Sequence, residues 1–428
     1  MCPAARRILR QHSNQINEPD LSDIYSATAT PSIPRPRIGS ARFTGEGKPL
    51  FWLMVRSLLL TIVTLGIYRF WMRTKLRQYY WSSIQIDDTP LEYTGTGREK
   101  FLGFLIALIV VALYLVIVNV VLFIFTLSAF DGNPLAPTLS FLALTPLIYF
   151  AQYRGRRYIM SRTRLRGIRF SLEPGAGRFV LFGLKQSLIT VLTLGLLYPR
   201  MEWKLDQYLT QRTRFGDVAM DMHSHWRGLM RPYLLLLMPV WGVIFGIVFI
   251  ATEASPGLGI FLIIASYIAI PFLAANYYVK SVRLRTSAKS LGQMNFRNTS
   301  RTGTVIGIWV LGLVLISVIT GIASTALLMI ASLLGSGFAP TDPAAMDPSA
   351  LMNASILTVV GIAIGYILMI VLTSTGYQVF IFRPCIAHFT DMTEFENIDE
   401  LARVTQSDRD DIADAEGFAD ALDMGAAF

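Results

Sequence analysis

The residues best suited to chemistry are few and scattered. His223 and His225 stand two apart in "DMHSHW", a spacing that puts both imidazoles on one face of a strand, as a pair of metal ligands would need. Cys385 and His388 stand three apart, neighbours on one face of a helix. Neither pair has a further ligand close by, whereas protein metal sites draw on three or four; the sequence therefore predicts no metal and no cofactor. "FTGEGKP" is glycine-rich but lacks the preceding strand and the full spacing of a phosphate-cradling loop, and neither a Rossmann glycine pattern nor an HExxH helix occurs. With no nucleophile, base and acid converging, the chain is not expected to be an enzyme.

What stands out instead is a duplicated pair of apolar runs, each carrying a cation. "TIVTLGIYRFWMRTKLRQY" from Thr61 and "TVLTLGLLYPRMEWKLDQY" from Thr190 match at a constant offset. Thr64, Gly66, Lys75 and Tyr79 recur as Thr193, Gly195, Lys204 and Tyr208, and Arg56 corresponds to Lys185. A short helix aimed into a bilayer offers free N–H groups and partial positive charge to an anion. Arg56, Lys185, Gly66 and Gly195 are thus candidate residues for an anion or lipid-headgroup site, with Lys75, Tyr79, Lys204 and Tyr208 as a repeat and interface motif. The competing reading is that both cations hold ordinary lipid phosphates at the interface.

The elements that position these residues follow from hydropathy and charge. The chain is 53% hydrophobic and 16% charged, with its apolar residues gathered into long runs, which marks a multi-pass membrane protein. Six spans are expected, near 101–128, 137–152, 229–252, 258–279, 304–332 and 353–382. Residues 50–71 and 179–199 are long enough to be two more. Lys and Arg settle the choice, because they gather in loops that stay cytoplasmic. The segments 69–100, 153–178, 200–231 and 280–303 hold 26 of the 38. Only if the two disputed runs enter and leave on one side, as re-entrant or interfacial segments, do all these loops share a compartment. Both termini are then cytoplasmic.

Alternation around "DDTP" in "YYWSSIQIDDTPLEYTGTG" reads as a β-hairpin, and "SRTRLRGIRFSLEPGAG", "TQRTRFGDVAMDMHSHW" and "TSAKSLGQMNFRNTSRTG" repeat it more weakly. A lone hairpin is marginal in water, so the four are expected to pack as a small cytoplasmic β layer. Net charge is +9, yet residues 391–428 carry −10, which leaves +19 on the rest. That balance suits anionic lipid rather than nucleic acid. Within the acidic tail, "FENIDELARV" can form an amphipathic helix with Phe395, Ile398 and Leu401 on one side, docking on the hairpins or serving only to solubilise.

"FTGEGKPLFW", "LLTIVTLGIYRFWMRTKLRQYY" and "LEYTGTGREKFLGFL" together resemble the YjgN family of bacterial inner-membrane proteins, defined by a domain of unknown function. The resemblance spans roughly residues 41–390. It implies an inner-membrane location and brings no activity or catalytic residues. The second copy departs from the pattern, with "LLYPRMEW" in place of "IYRFWMRT".

The expected architecture is an all-α polytopic membrane protein with six spans, two re-entrant or interfacial segments, short hairpins and an internal parallel repeat. Its expected parts are a disordered tail (1–40), repeat 1 (41–152), a hairpin linker (153–178), repeat 2 (179–280), a hairpin with the final two-helix unit (281–390) and an acidic tail (391–428). Two functions fit: a channel or transporter-like protein for a small anionic or lipidic solute, or a non-transporting scaffold organising envelope proteins or lipids. Expected partners are membrane lipids and either a second copy or an envelope protein.

Overall fold

A computed structural model describes residues 37–129, 136–333 and 356–406. Expectations for residues 1–36 and 407–428, and for the outer turns at 130–135 and 334–355, lie outside the described residues.

Ten short strands form a closed antiparallel barrel in the order β1-β10-β9-β8-β7-β6-β5-β4-β3-β2. They are β1 (Ile38–Phe43), β2 (Ile84–Ile86), β3 (Thr89–Tyr93), β4 (Thr163–Leu165), β5 (Ile168–Leu172), β6 (Thr213–Phe215), β7 (Val218–Met222), β8 (Lys289–Leu291), β9 (Met294–Asn298) and β10 (Thr393–Glu396). The expectation of an all-α protein is thereby corrected. The four foreseen hairpins are not an accessory layer but eight of the barrel's ten strands. Each has the same layout, a three-residue strand, a two-residue turn and a five-residue strand.

The turn residues explain the tight reversals. Asp87 and Asp88 (φ 50° and 62°), like Arg166 and Gly167 (φ 53° and 77°), adopt the paired positive φ of type I′ turns. Gly216 and Gly292 take φ 55° and 56° at the first turn position, as in type II′. Such turns match the twist of the strands they join. Closure comes from the chain's two extremes: β1 pairs with β10 through Ile38↔Glu396 and Ser40↔Glu394, and with β2 through Ala41↔Ile86 and Phe43↔Ile84.

The pleat sends apolar residues inward. Ala41, Leu165, Phe215, Leu291, Met294 and Phe395 form one buried cluster, while the alternate positions carry Gln85, Glu92, Arg164, Arg214, Arg297 and Glu394. An apolar interior with a polar exterior is the inverse of a barrel that faces lipid.

Between strands, the chain leaves the barrel as helical pairs and returns. The first pair, α1 (Gly47–Val63) and α2 (Arg69–Ser83), joins β1 to β2; the second, α3 (Gly97–Ala129) and α4 (Ala136–Arg162), joins β3 to β4. The third, α5 (Ala176–Leu192) and α6 (Tyr198–Thr210), joins β5 to β6; the fourth, α7 (Met230–Ala251) and α8 (Pro256–Ser287), joins β7 to β8. In the fifth, α9 (Thr302–Leu333) is followed by α10 (Ile356–Gly376), which continues through a π-helical turn at Tyr377–Phe382 into α11 (Arg383–Asp391) and β10. Beyond β10 lies one more helical turn, α12 (Glu400–Arg403).

Among the described residues, five helices are long and apolar enough to cross a membrane: Gly97–Phe125, Trp226–Ala251, Pro256–Ser287, Thr302–Met329 and Ala363–Asp391. The run 137–152, expected as a sixth span, forms the first part of α4. The disputed runs are the first helices of the first and third pairs, and both turn back. At the first reversal Gly66 N–H donates to Thr61 O (2.7 Å) and Leu65 N–H to Ile62 O (3.0 Å), a Schellman closure of α1; Gly195 to Thr190 (2.8 Å) and Leu194 to Val191 (2.9 Å) repeat it on α5. Thr64 Oγ1 then accepts the N–H of Tyr68 at 2.9 Å, and Thr193 Oγ1 that of Leu197 at 3.4 Å. The recurring "TLG" is this turn.

Aromatic clusters seat neighbouring pairs on each other. Leu50, Met54, Tyr80 and Ile386 join the first pair to α11. Tyr149, Tyr153 and Phe179 join the second pair to the third, and Trp203, Leu229 and Tyr277 join the third to the fourth.

Barrel closure is testable directly. Opposed residues in an antiparallel pair have Cα atoms ~4.5–5.5 Å apart, within disulfide reach. With Cys2 and Cys385 replaced by serine, the Ser40→Cys, Glu394→Cys pair is expected to form an intramolecular disulfide on mild oxidation, read as a mobility shift that reductant reverses. An open sheet would leave both thiols free.

Candidate functional site

The candidate site residues of the two repeats are held apart. Arg56 lies on the exposed side of α1 and Lys185 on the exposed side of α5, in separate pairs, while Gly66 (φ 93°) and Gly195 (φ 83°) sit at the reversal tips. Lys75 Nζ donates to Tyr68 Oη at 2.8 Å, and Tyr79 Oη to Glu46 O at 2.5 Å. Lys204 Nζ donates to Gln207 Oε1 at 3.0 Å, and the Tyr208 ring stacks on Phe182 and lies under the Arg212 guanidinium. These side chains hold the pairs together locally. Lys75 and Tyr79 line one open cleft beside β3, which none of the second repeat's candidate residues enters.

His223 and His388 are each engaged separately. His223 Nε2 lies 3.5 Å from Asp221, and His388 Nε2 accepts the N–H of Arg301 at 3.0 Å. Among the described residues no group of three His, Cys, Asp or Glu side chains is placed to hold a metal ion.

A different site emerges from the fold itself. The barrel lumen encloses a cavity of about 450 Å³ that continues upward between the helix ends standing on the rim. Ile86, Phe170, Met220, Phe296 and Phe395 line its lower part, with Trp81, Met160 and Phe389 above them. Its size and apolar lining match cavities that take small organic ligands, ~300–1,000 Å³ with a few placed polar groups. The charged group in its wall is Arg156, from the penultimate turn of α4.

Arg156 belongs to a largely but not fully enclosed ionic cluster where α4, α6 and α8 meet the barrel rim. Lys289 Nζ lies 3.0 Å from Asp206 Oδ2, and Arg285 3.1 Å from Glu202 Oε1. Tyr277 Oη donates to the other oxygen of Glu202 at 2.6 Å, and Ser281 Oγ to the first at 3.3 Å. Arg156 acts on Asp206 through its charge, and its enclosed Nε meets no hydrogen-bond partner. Burial alone would raise the Asp206 pKa; Lys289, Arg285 and Arg156 outweigh it and hold the carboxyl below the ordinary carboxylate range. Three cations therefore face two carboxylates, leaving one positive charge in excess beside the cavity.

The sequence carried a faint signal for this cluster. Glu202 and Asp206 are four apart on one helix face, and Arg285 and Lys289 are also four apart, although the helix ends between them and Lys289 opens β8. Only the barrel brings the two faces together.

The far mouth of the lumen is stoppered by the chain beyond β10. The expected amphipathic helix is split there: Phe395 is a strand residue, Asn397 turns the chain at φ 61°, and Ile398, Leu401 and Val404 bury themselves across the opening. Period three fits a helix as well as this strand, turn and helical-turn sequence. Polar bonds fix the stopper to the hairpin turns. Thr405 N–H donates to Asp217 Oδ1 (3.0 Å), Asp217 N–H to Thr405 O (3.1 Å), Asn397 Nδ2 to Gln293 O (3.0 Å) and Arg169 N–H to Gln406 Oε1 (2.9 Å). A side chain at Gly216 would strike Thr405 and Val404, and one at Gly39 would strike Ile398.

Residues 39–324 match the family described as bacterial protein of unknown function, DUF898. The chain belongs to this family. Curated relatives agree: a stretch of 132 residues is 30% identical to inner membrane protein YjgN of Salmonella typhimurium strain LT2, and 131 residues are 33% identical to the protein of that name in Escherichia coli O157:H7 and in strain K12. Each match covers 31% of this chain and 30% of the relative, so it spans less than a third of either. No solved structure matches. Since DUF898 is defined without an activity, the family gives this barrel no ligand.

Removing one partner of a buried ion pair strands the other charge, at roughly 3–5 kcal/mol. Asp206 and Lys289 are 14% and 19% exposed, so Asp206→Asn is expected to lower unfolding stability by about 3 kcal/mol, and Lys289→Met in the same chain to restore most of it. The pH dependence has a definite sign. A native pKa below the ordinary 3.8 means that the stabilisation is complete above that value and is lost as pH falls through the native pKa. Melting curves should show a wild-type to Asp206→Asn gap that is constant at neutral pH and closes only in acid below about 3.8.

Proposed function

We propose that this protein resides in the bacterial inner membrane with its barrel on the cytoplasmic face and moves a small lipidic anion between the bilayer and the barrel lumen. One observation carries the reading: an apolar lumen, closed at the far mouth by the chain's own segment 397–406, opens at its other end among helix ends that include those of Pro256–Ser287 and Ala363–Asp391, both long and apolar enough to cross a membrane. A lipidic anion entering from the hydrocarbon would pass its charged head to the polar layer at the rim and its apolar chain into the lumen.

The helix pairs support the same placement. The backbone pairs β1 with β2 and β5 with β6 while the first and third helical pairs run between them, so each of these pairs leaves and re-enters at one face. At their tips Leu65 and Leu194 sit at φ 50°, a conformation that disfavours leucine, and are 94% and 87% exposed. A strained, exposed leucine at two equivalent positions makes sense where the tip dips into lipid. The second helices, the basic "RFWMRTKLRQYYWSS" and the charge-balanced "YPRMEWKLDQYLT", then lie near the headgroups.

The test is protein-dependent movement of a fluorescent monoacyl phosphate across reconstituted vesicles, read by a membrane-impermeant quencher. Movement faster than in protein-free vesicles, abolished by filling the lumen with Ala41→Trp, is expected. Movement no faster than in empty vesicles would contradict transport and turn attention to the scaffold reading.

A further inference from the structure

We infer that the lumen is a binding site for a single-chain amphiphile with an anionic head, a fatty acid or an alkyl phosphate, whose chain lies among Phe170, Met220, Phe296 and Phe395 and whose head meets Arg156. The inference rests on the proposed placement of the lumen and names the chemistry that it recognises.

Three independent observations define the ligand. The cavity volume, about 450 Å³, with a lining dominated by aliphatic and aromatic side chains, calls for one flexible apolar chain and has no room for a two-chain phospholipid. The charged cluster beside it contains Arg156, Arg285 and Lys289 against Glu202 and Asp206, so one positive charge has no internal counterpart. A buried uncompensated charge is costly, and an anionic headgroup would complete the balance. Arg285 and Lys289 each have a carboxylate at 3.1 and 3.0 Å and stand outside the cavity lining, whereas Arg156, whose Nε like that of Arg285 is enclosed without a hydrogen-bond partner, is the charged side chain in the cavity wall. A guanidinium suits this task, since its planar fork pairs two donors with two oxygens of a carboxylate or phosphate.

The geometry also fixes the orientation of the ligand. Arg156 stands on α4 above the rim, and Phe395 and Leu401 lie toward the stoppered mouth. The head therefore remains at the helix side and the chain's methyl end points at the segment 397–406. A neutral chain of equal length would gain the apolar contacts and lose the charge-assisted pair, so it should bind more weakly by roughly tenfold, the ratio that corresponds to ~1.4 kcal/mol.

The experiment uses the full-length protein in nanodiscs and a diazirine-bearing palmitate, with cross-linked peptides mapped by mass spectrometry. Labelling is expected on barrel strands that line the lumen, competed by palmitate and by dodecyl phosphate, with hexadecanol about tenfold less effective. Arg156→Gln should weaken palmitate competition about tenfold and leave hexadecanol unchanged, while Arg156→Lys should retain most of the difference. Ala41→Trp, which fills the lumen from β1 without touching the ionic cluster, should abolish labelling, and unchanged hexadecanol competition shows that the Arg156 variants are folded. Equal competition by palmitate and hexadecanol, or an unchanged palmitate affinity in Arg156→Gln, would overturn the headgroup assignment. Labelling confined to the outer helix surfaces would overturn the site altogether. Either failure is separable from failure of transport, since occupancy and movement across vesicles are read independently.

Discussion

Every strand among the described residues is between three and six residues long, too short to be stable as part of an isolated pair. Backbone pairing all the way round a ring resolves this, because each strand then has two partners and no edge remains. Closure depends on residues from the two extremes of the described chain, β1 and β10, which meet through Ile38↔Glu396, Gly39↔Phe395 and Ser40↔Glu394. From that requirement the rest follows. With all ten strands in one ring, each excursion between adjacent strands must leave and return at the same rim. The helices therefore come in pairs, whether the first member is the seventeen-residue α1 or the thirty-three-residue α3.

The same ring sets the character of the interior. Inward positions near the hairpin turns are apolar, while those near the helix rim include Thr163, Thr213, Lys289, Asn298 and Thr393. Lys289 is the one charged residue among these, and it is matched by Asp206 from the helix pair above. The rim is thus where a polar layer, held by Glu202, Asp206, Arg285 and Arg156, separates the apolar lumen from the apolar helices. A site at this boundary favours ligands that are themselves part apolar and part anionic. The stopper of Ile398, Leu401 and Val404 closes the opposite mouth with apolar side chains inside and backbone hydrogen bonds outside.

Much of this was legible in the residues, though not its assembly. The turn at Asp87–Asp88 and the weaker ones at Arg166–Gly167, Gly216–Asp217 and Gly292–Gln293 were readable because two-residue hairpin turns have strong side-chain preferences. The "TLG" reversals were readable as a repeat. Closure was not readable: strands as short as "TRL", "TRF" and "KSL" show no alternation long enough to count, and β10 carried a period that fits a helix equally well. The expected site at Arg56 and Lys185 rested on their shared place in the repeat, yet symmetry places them on different spokes. The cluster that the fold does assemble draws Arg156, Asp206 and Lys289 from three separate segments, a long-range convergence that no local spacing encodes.

The central claim is that one ring gathers all the hairpin turns on a single side of the membrane. The most direct measurement places single cysteines at Asp87, Arg166, Asp217 and Gln293 in a background free of Cys2 and Cys385, and treats intact spheroplasts and inverted vesicles with a membrane-impermeant maleimide. All four positions should react in inverted vesicles and none in spheroplasts; a split of the four between the two preparations would contradict the barrel and everything built on it.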